Sequence, residues 1–197
     1  MRHRITRLLK RLWARIVYCN NAVCIYQISI KDHQDVSQEL DIEIAAPEKL
    51  IQLADEWDYF AHRQAMVRTR YQQGDRCFLA YDQQRLAHVI WYRMRNEIDA
   101  SYELGSKGRL PLPDQELILY DAWTPAPMRS RGYYARTMTQ ILPQCFSISP
   151  RVWIYSLSDN YASLRGIENS GFSLRHRLQR IRWFGLKETL SLSAIDS

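Results

Sequence analysis

The sequence predicts a mixed α/β (α+β) fold: a twisted central sheet flanked by helices, with an added N-terminal amphipathic helix and strand. Three observations carry this. From residue 117 onward, β-branched and aromatic runs alternate with segments of helical periodicity, reading β–α–β–α–β. Two further apolar runs, 76–81 and 85–94, flank a short polar turn and read as a hairpin. The first 17 residues place apolar side chains at helical spacing.

The elements follow in order. Ile5, Leu8, Leu9, Leu12, Trp13, Ile16 and Val17 form one apolar stripe, with Arg2, Arg4, Arg7, Lys10, Arg11 and Arg15 opposite. Asn20-Asn21 ends that helix, and Ala22–Ile30 reads as a strand. Leu40–Ala45 alternates as a second strand. Pro47 suits the first turn of a helix reaching about Asp58. Phe60–Gln73 is a second helical stretch, ended by Gly74. The hairpin turn is Asp82-Gln83-Gln84, and residues 96–115, with Gly105, Gly108, Pro111 and Pro113, read as a loop. A strand over 117–124 leads through a turn to a helix of roughly 132–146. A buried strand, 151–157, precedes a helix capped by Ser158 or Asp159 and closed by Gly171. Phe172–Trp183 carries Arg175, Arg177, Arg180 and Arg182 and reads as an edge strand or hairpin, with the charge protecting the edge. The chain divides into an N-terminal helix-plus-strand, 1–31, and one domain, 32–197.

Composition narrows the function. At 197 residues and 46% hydrophobic, the chain can bury a sizeable core. Cys19, Cys24, Cys77 and Cys145 are scattered, with no Cys-x-x-Cys pair, so zinc and redox-motif readings fail. The five histidines are spread too, and no metal is expected. No apolar run of about 18 residues is present to span a membrane. The net charge of +6 is concentrated: residues 1–31 hold seven bases and no acid, leaving 20 bases against 21 acids elsewhere. A near-neutral body argues against a nucleic-acid groove. The basic helix packs its apolar stripe on the domain, lies on an anionic membrane through residues 5–17, or serves as a targeting presequence.

The segment 117–136 suggests chemistry. Pro125 and Pro127 end the strand because neither can donate to a ladder. Gly132 lets a ligand approach the backbone closely at the start of the next helix. The amides there have no helical partners, the helix dipole favours negative charge, and Arg129 and Arg131 add fixed positive charge. Together these make a phosphate or pyrophosphate site, or a plain structural turn.

Arg129-Ser130-Arg131-Gly132-Tyr133-Tyr134 resembles the first motif of the GNAT superfamily of acyl-CoA N-acyltransferases, Arg/Gln-x-x-Gly-x-Gly/Ala, with Tyr134 replacing the last small residue. Asn160, Ser163 and Gly171-Phe172 are similar to its second. The resemblance covers about residues 40–185, and the element order β-α-α-β-β-β-α-β-α-β agrees with it. It implies an acyl-CoA such as acetyl-CoA as co-substrate. The amides of Arg131, Gly132, Tyr133 and Tyr134 would hold its pyrophosphate beside Ser130. Trp123 and Thr124 would pair with the pantetheine arm, with Asn160 and Ser163 on its other side.

N-acyl transfer needs a neutral amine, a polarised carbonyl and a proton for the leaving thiolate. Asp121, a lone acid in an apolar strand, is the first candidate base, and it equally suits a solvent-facing or capping role; Glu116 is second. The family's usual tyrosine acid is replaced by Ile167, which leaves Tyr161, Tyr155 or a water. Tyr120 shapes the acceptor side. The expected function is transfer of an acetyl or other acyl group to a small-molecule or membrane-associated amine. The enzyme is expected in the cytoplasm or at the inner membrane face, as a monomer or homodimer. The alternatives are a catalytically weak binding protein on this fold and a peripheral membrane module.

Overall fold

The computed structural model describes residues 18–32, 39–105, 107–184 and 187–195, so the expected helix over residues 5–17 lies outside it. The described elements are strand β1 (Tyr18–Ser29), β2 (Asp41–Ile44), helices α1 (Pro47–Gln52), α2 (Asp58–Ala61) and α3 (Gln64–Gln72), β3 (Arg76–Asp82), β4 (Arg85–Asp99), α4 (Ser101–Leu104), β5 (Arg109–Trp123), α5 (Tyr133–Phe146), β6 (Arg151–Leu157), α6 (Tyr161–Asn169), β7 (Ser173–Trp183) and β8 (Lys187–Ala194). The strands form one sheet in the order β2-β3-β4-β5-β6-β1-β7-β8. Its neighbours are antiparallel except β5 and β6, which run parallel.

Each face of the sheet buries a different layer. On one face α5 and α6 bring Met138, Ile141 and Ile167 onto Leu117, Leu119 and Ile154. On the other, α1–α3 bring Leu50, Phe60 and Val67 onto Leu79, Val89 and Trp91. Farther along that second face, Leu104 of α4 joins Ile98, Ile118 and Leu178. The alternation of strand side chains decides which residues meet which layer.

Four expectations need correction. The N-terminal strand begins at Tyr18, and Asn20-Asn21 belongs to it: Asn20 pairs with Ile181 and Asn21 with Arg180. The strand sits between β6 and β7. The stretch 96–115 is largely strand, because β4 runs to Asp99 and β5 starts at Arg109. Leu110 and Leu112 are buried, whereas Pro111 and Pro113 alternate with them facing outward. The prolines are tolerated because pairing of β5 with β6 begins only at Leu117. The helical stretch from Phe60 breaks at His62-Arg63, giving α2 and α3. Finally, β7 is not an edge, since it pairs with β1 and β8. Arg180 is buried there and donates to Leu104 O at 2.6 Å and Glu188 at 3.1 Å, so its charge bridges elements instead of guarding an edge.

The β3–β4 turn follows the expected hairpin. Gln83 and Gln84 both have positive φ (48° and 66°), as a two-residue turn between twisted strands demands.

Candidate functional site

The site begins where two parallel strands separate. β5 and β6 pair at Leu117–Val152, Ile118–Trp153 and Leu119–Ile154, and no farther. Yet β5 continues to Trp123 and β6 to Leu157. A bulge in β5 accompanies the parting: Tyr120 opposes Trp91 and Trp123 opposes Val89, so Asp121 and Ala122 share one position of β4. Asp121 takes a left-handed conformation, φ 46°, which aspartate tolerates better than most residues. Such a bulge bends and twists its strand, leaving a wedge between the two strand ends.

At one mouth of the wedge lies the arginine–glycine turn. A 3-10 turn, Ala126–Met128, leads to Ser130 and Gly132, both left-handed at φ 60° and 76°. Gly132 caps α5 without any side-chain hydrogen bond, and no acid occupies the first turn. The helix dipole and its terminal amides are therefore available to an anion. Arg129 Nε donates to Thr124 O at 3.1 Å and pins the turn to the end of β5. The Tyr133 hydroxyl donates to Asp82 and fixes the other side. Thr124 Oγ1 lies 2.8 Å from His88 Nδ1. Burial lowers the His88 pKa to about 3, so this imidazole stays neutral.

Tyr134 turns from the motif glycine towards α6. Its hydroxyl lies 3.2 Å from Ser163 Oγ, and its ring packs edge-on to His88 at 5.1 Å. Gly166 faces the same ring, where a Cβ would come within 2.5 Å of it. Tyr134 thus fills the seam between the starts of α5 and α6 instead of projecting into solvent. Asn160, not Ser158 or Asp159, caps α6, accepting from Ser163 N at 3.3 Å.

At the other mouth, on the opposite face of the sheet, is a cavity of about 670 Å³. Tyr120 and Asp121 of β5 and Tyr155 of β6, the first residues past the last paired rung, line it. Arg63, Met66 and Arg70 enter from the α2–α3 side, Arg93 and Asp99 from β4, and Glu103 from α4. Both Asp121 oxygens are engaged: Arg63 reaches them at 3.2 and 3.3 Å, and Arg70 reaches Oδ2 at 2.7 Å. Arg70 also stacks between Trp91 and Tyr120, at 4.6 and 4.9 Å from their ring centres. Burial, then the nearby Glu103 charge, pushes the Tyr155 hydroxyl well above the usual tyrosine range, so it stays protonated.

The structure gathers Thr124, the 129–134 turn, Asn160 and Ser163 around one mouth of the wedge and Asp121 at the other. Trp123 stands between, its indole stacked 4.7 Å from Tyr59. Two expected residues lie elsewhere. Glu116 is buried midway along β5, just before its first rung with β6, where Arg151 Nη2 donates to it at 2.6 Å and the Trp153 indole also donates. It clamps β5 to β6 and does not reach the cavity. Tyr161 is 74% exposed on the first turn of α6. Sequence reasoning missed Arg63, Arg70, Arg93 and Glu103. Arg93 interrupts an apolar run and could have been questioned as Asp121 was; the others had no such signal.

No protein-family model matches the sequence, and no curated protein matches it. Solved structures do match. A GNAT-family acetyltransferase from Colwellia psychrerythraea superposes with a TM-score of 0.61 at 14% identity, over 89% of this chain and 61% of that one. A functionally unknown conserved protein from Staphylococcus epidermidis gives 0.59 at 9% identity, over 88% and 66%. A GCN5-related N-acetyltransferase from Sphaerobacter thermophilus gives 0.54 at 11% identity, over 89% and 56%. The chain thus spans between 56% and 66% of the length of these structures. At such identities the likeness is one of fold, and the fold is GNAT-like.

Proposed function

We propose that this GNAT-like chain transfers an acyl group, with acetyl the first to test, from an acyl-CoA thioester to an amine. The carrying observation is the wedge: an anion-ready turn at one mouth, a charged cavity at the other, and between them a strand end that has parted from β6. The pyrophosphate of CoA lies on the amides of Arg131, Gly132, Tyr133 and Tyr134, beside Arg129 and Ser130. The pantetheine arm runs along β5 at Trp123 and Thr124, with Asn160 and Ser163 facing it. The thioester then sits at the bulge, where the amine enters from the cavity.

The reaction joins nitrogen to the carbonyl carbon, breaks the carbon–sulfur bond to expel the CoA thiolate, and releases the amine proton to solvent through the cavity. Asp121 is the acid nearest the bulge. Its two guanidinium partners make it a holder of local charge and geometry more than a free proton acceptor. Tyr155, protonated and on the splayed end of β6, is the group to protonate the leaving thiolate. Tyr134 favours a second reading, a protein on this fold that binds without transferring, because it fills the seam where a small residue was expected.

Calorimetry with acetyl-CoA and CoA, paired with a thiol-release assay over a panel of amines, tests this. Binding with turnover is expected. Binding without turnover leaves the second reading, and no binding of either at millimolar concentration ends both. Membrane association through residues 5–17 is a separate proposal, tested by liposome flotation with and without residues 1–17; equal flotation would end it.

A further inference from the structure

We infer that the cavity at the bulge takes a zwitterionic acceptor, an amine that carries its own carboxylate, as a free amino acid does. The inference rests on the acyltransferase reading for its chemistry but on the cavity alone for its recognition.

The charges lining the cavity are not equivalent. Asp121 is held by Arg63 and Arg70. Asp99 accepts from Ser101 N at 2.9 Å and pairs with Arg109 at 3.6 Å. Two groups remain. Arg93 lies 4.6 Å from the Tyr120 ring centre, and its buried Nε has no hydrogen-bond partner among the described residues. Glu103 Oε2 is also buried without a partner among them. The two feel each other's charge, but no ion pair joins them among the described residues. Burial raises the Glu103 pKa, and its own backbone amide and the Arg93 charge offset this only in part.

A buried polar atom of a charged group without a hydrogen-bond partner is costly, so a ligand that supplies the missing partner gains most. A simple amine satisfies Glu103 and leaves Arg93; a simple acid does the reverse. A ligand with both groups satisfies both. The cavity has ample room for an amino acid, and Tyr120, Tyr155 and Met66 offer apolar surface to its side chain.

The test is direct binding without CoA. The intact protein is titrated by calorimetry with L-phenylalanine, L-methionine and L-lysine, with the three matching decarboxylated amines, and with the three matching deaminated acids. At least one amino acid is expected to bind about tenfold or more tighter than both of its analogues, because a site built to pair a charge rejects the ligand that lacks it. R93M should abolish the preference over the amine alone, and E103Q the preference over the acid alone. R93K and circular dichroism control for folding. If no amino acid binds, or amines bind as tightly as amino acids, the inference is overturned. A CoA titration run beside it separates the two readings. Amino-acid preference without CoA binding keeps the pocket and removes transfer; CoA binding without that preference does the opposite.

Discussion

The two mouths of the wedge are built from different material. The anion turn is made of backbone: amides at the start of α5, shaped by Ser130 and Gly132 in left-handed conformations. Six consecutive residues, 129–134, make most of it. The cavity is made of side chains, from α3, β4, α4, β5 and β6 and the residue before α3, spread from residue 63 to residue 155. A backbone site depends on local geometry and tolerates side-chain change. A side-chain site depends on every element that aims a group into it, so single substitutions should cost more there.

The largest expected effect of a single substitution at neutral pH is at Asp121. D121N leaves Arg63 and Arg70 facing each other without their shared carboxylate. Because the carboxylate is about a quarter exposed, the loss should be about 2 kcal/mol, below that of a fully buried pair. A urea melt reads it; an unchanged midpoint would break the contrast between the mouths. Next is pH. His88 is neutral when folded, with a pKa of about 3, and titrates near its ordinary value when unfolded. Below about pH 6.5 the unfolded chain gains a proton that the folded one does not, so stability falls by up to about 1.4 kcal/mol per pH unit on acidification towards pH 3. H88Q should flatten that slope in melts from pH 7 to 4.

A third test addresses the seam. Gly166→Ala normally adds helix propensity, but here its Cβ meets the Tyr134 ring at 2.5 Å. The clash should win, destabilising by about 1–2 kcal/mol, and Y134A should reverse the sign. The same Y134A change should strengthen CoA binding if the ring crowds the wedge. Fourth, R129M/R131M should weaken CoA binding by about tenfold and flatten its salt dependence, while leaving ligands of the cavity unaffected. Equal losses at both mouths would show one coupled site instead of two. Smallest is Ser130→Gly, which relieves a left-handed serine and should stabilise by about 0.5 kcal/mol without touching CoA affinity.

The sequence alone determined what nearest neighbours in the chain decide. Gly132 after Arg129 and Arg131, and Gly171 ending α6, announced their turns because conformation there follows residue type. The strand–turn–helix order from 117 to 172 followed from hydrophobic period, as did the hairpin at Gln83-Gln84. Pro111 and Pro113 hid a strand, because whether a missing amide matters depends on which neighbour the strand has. Glu116 and Asp121 sit five residues apart on one strand and looked alike. Only tertiary structure set one against Arg151 as a clamp and the other beside Arg63 and Arg70 at the bulge. The same holds for Arg93 and Glu103, and for β1 taking its place between β6 and β7. Pairings between distant segments are fixed by packing and register, which a local pattern does not encode.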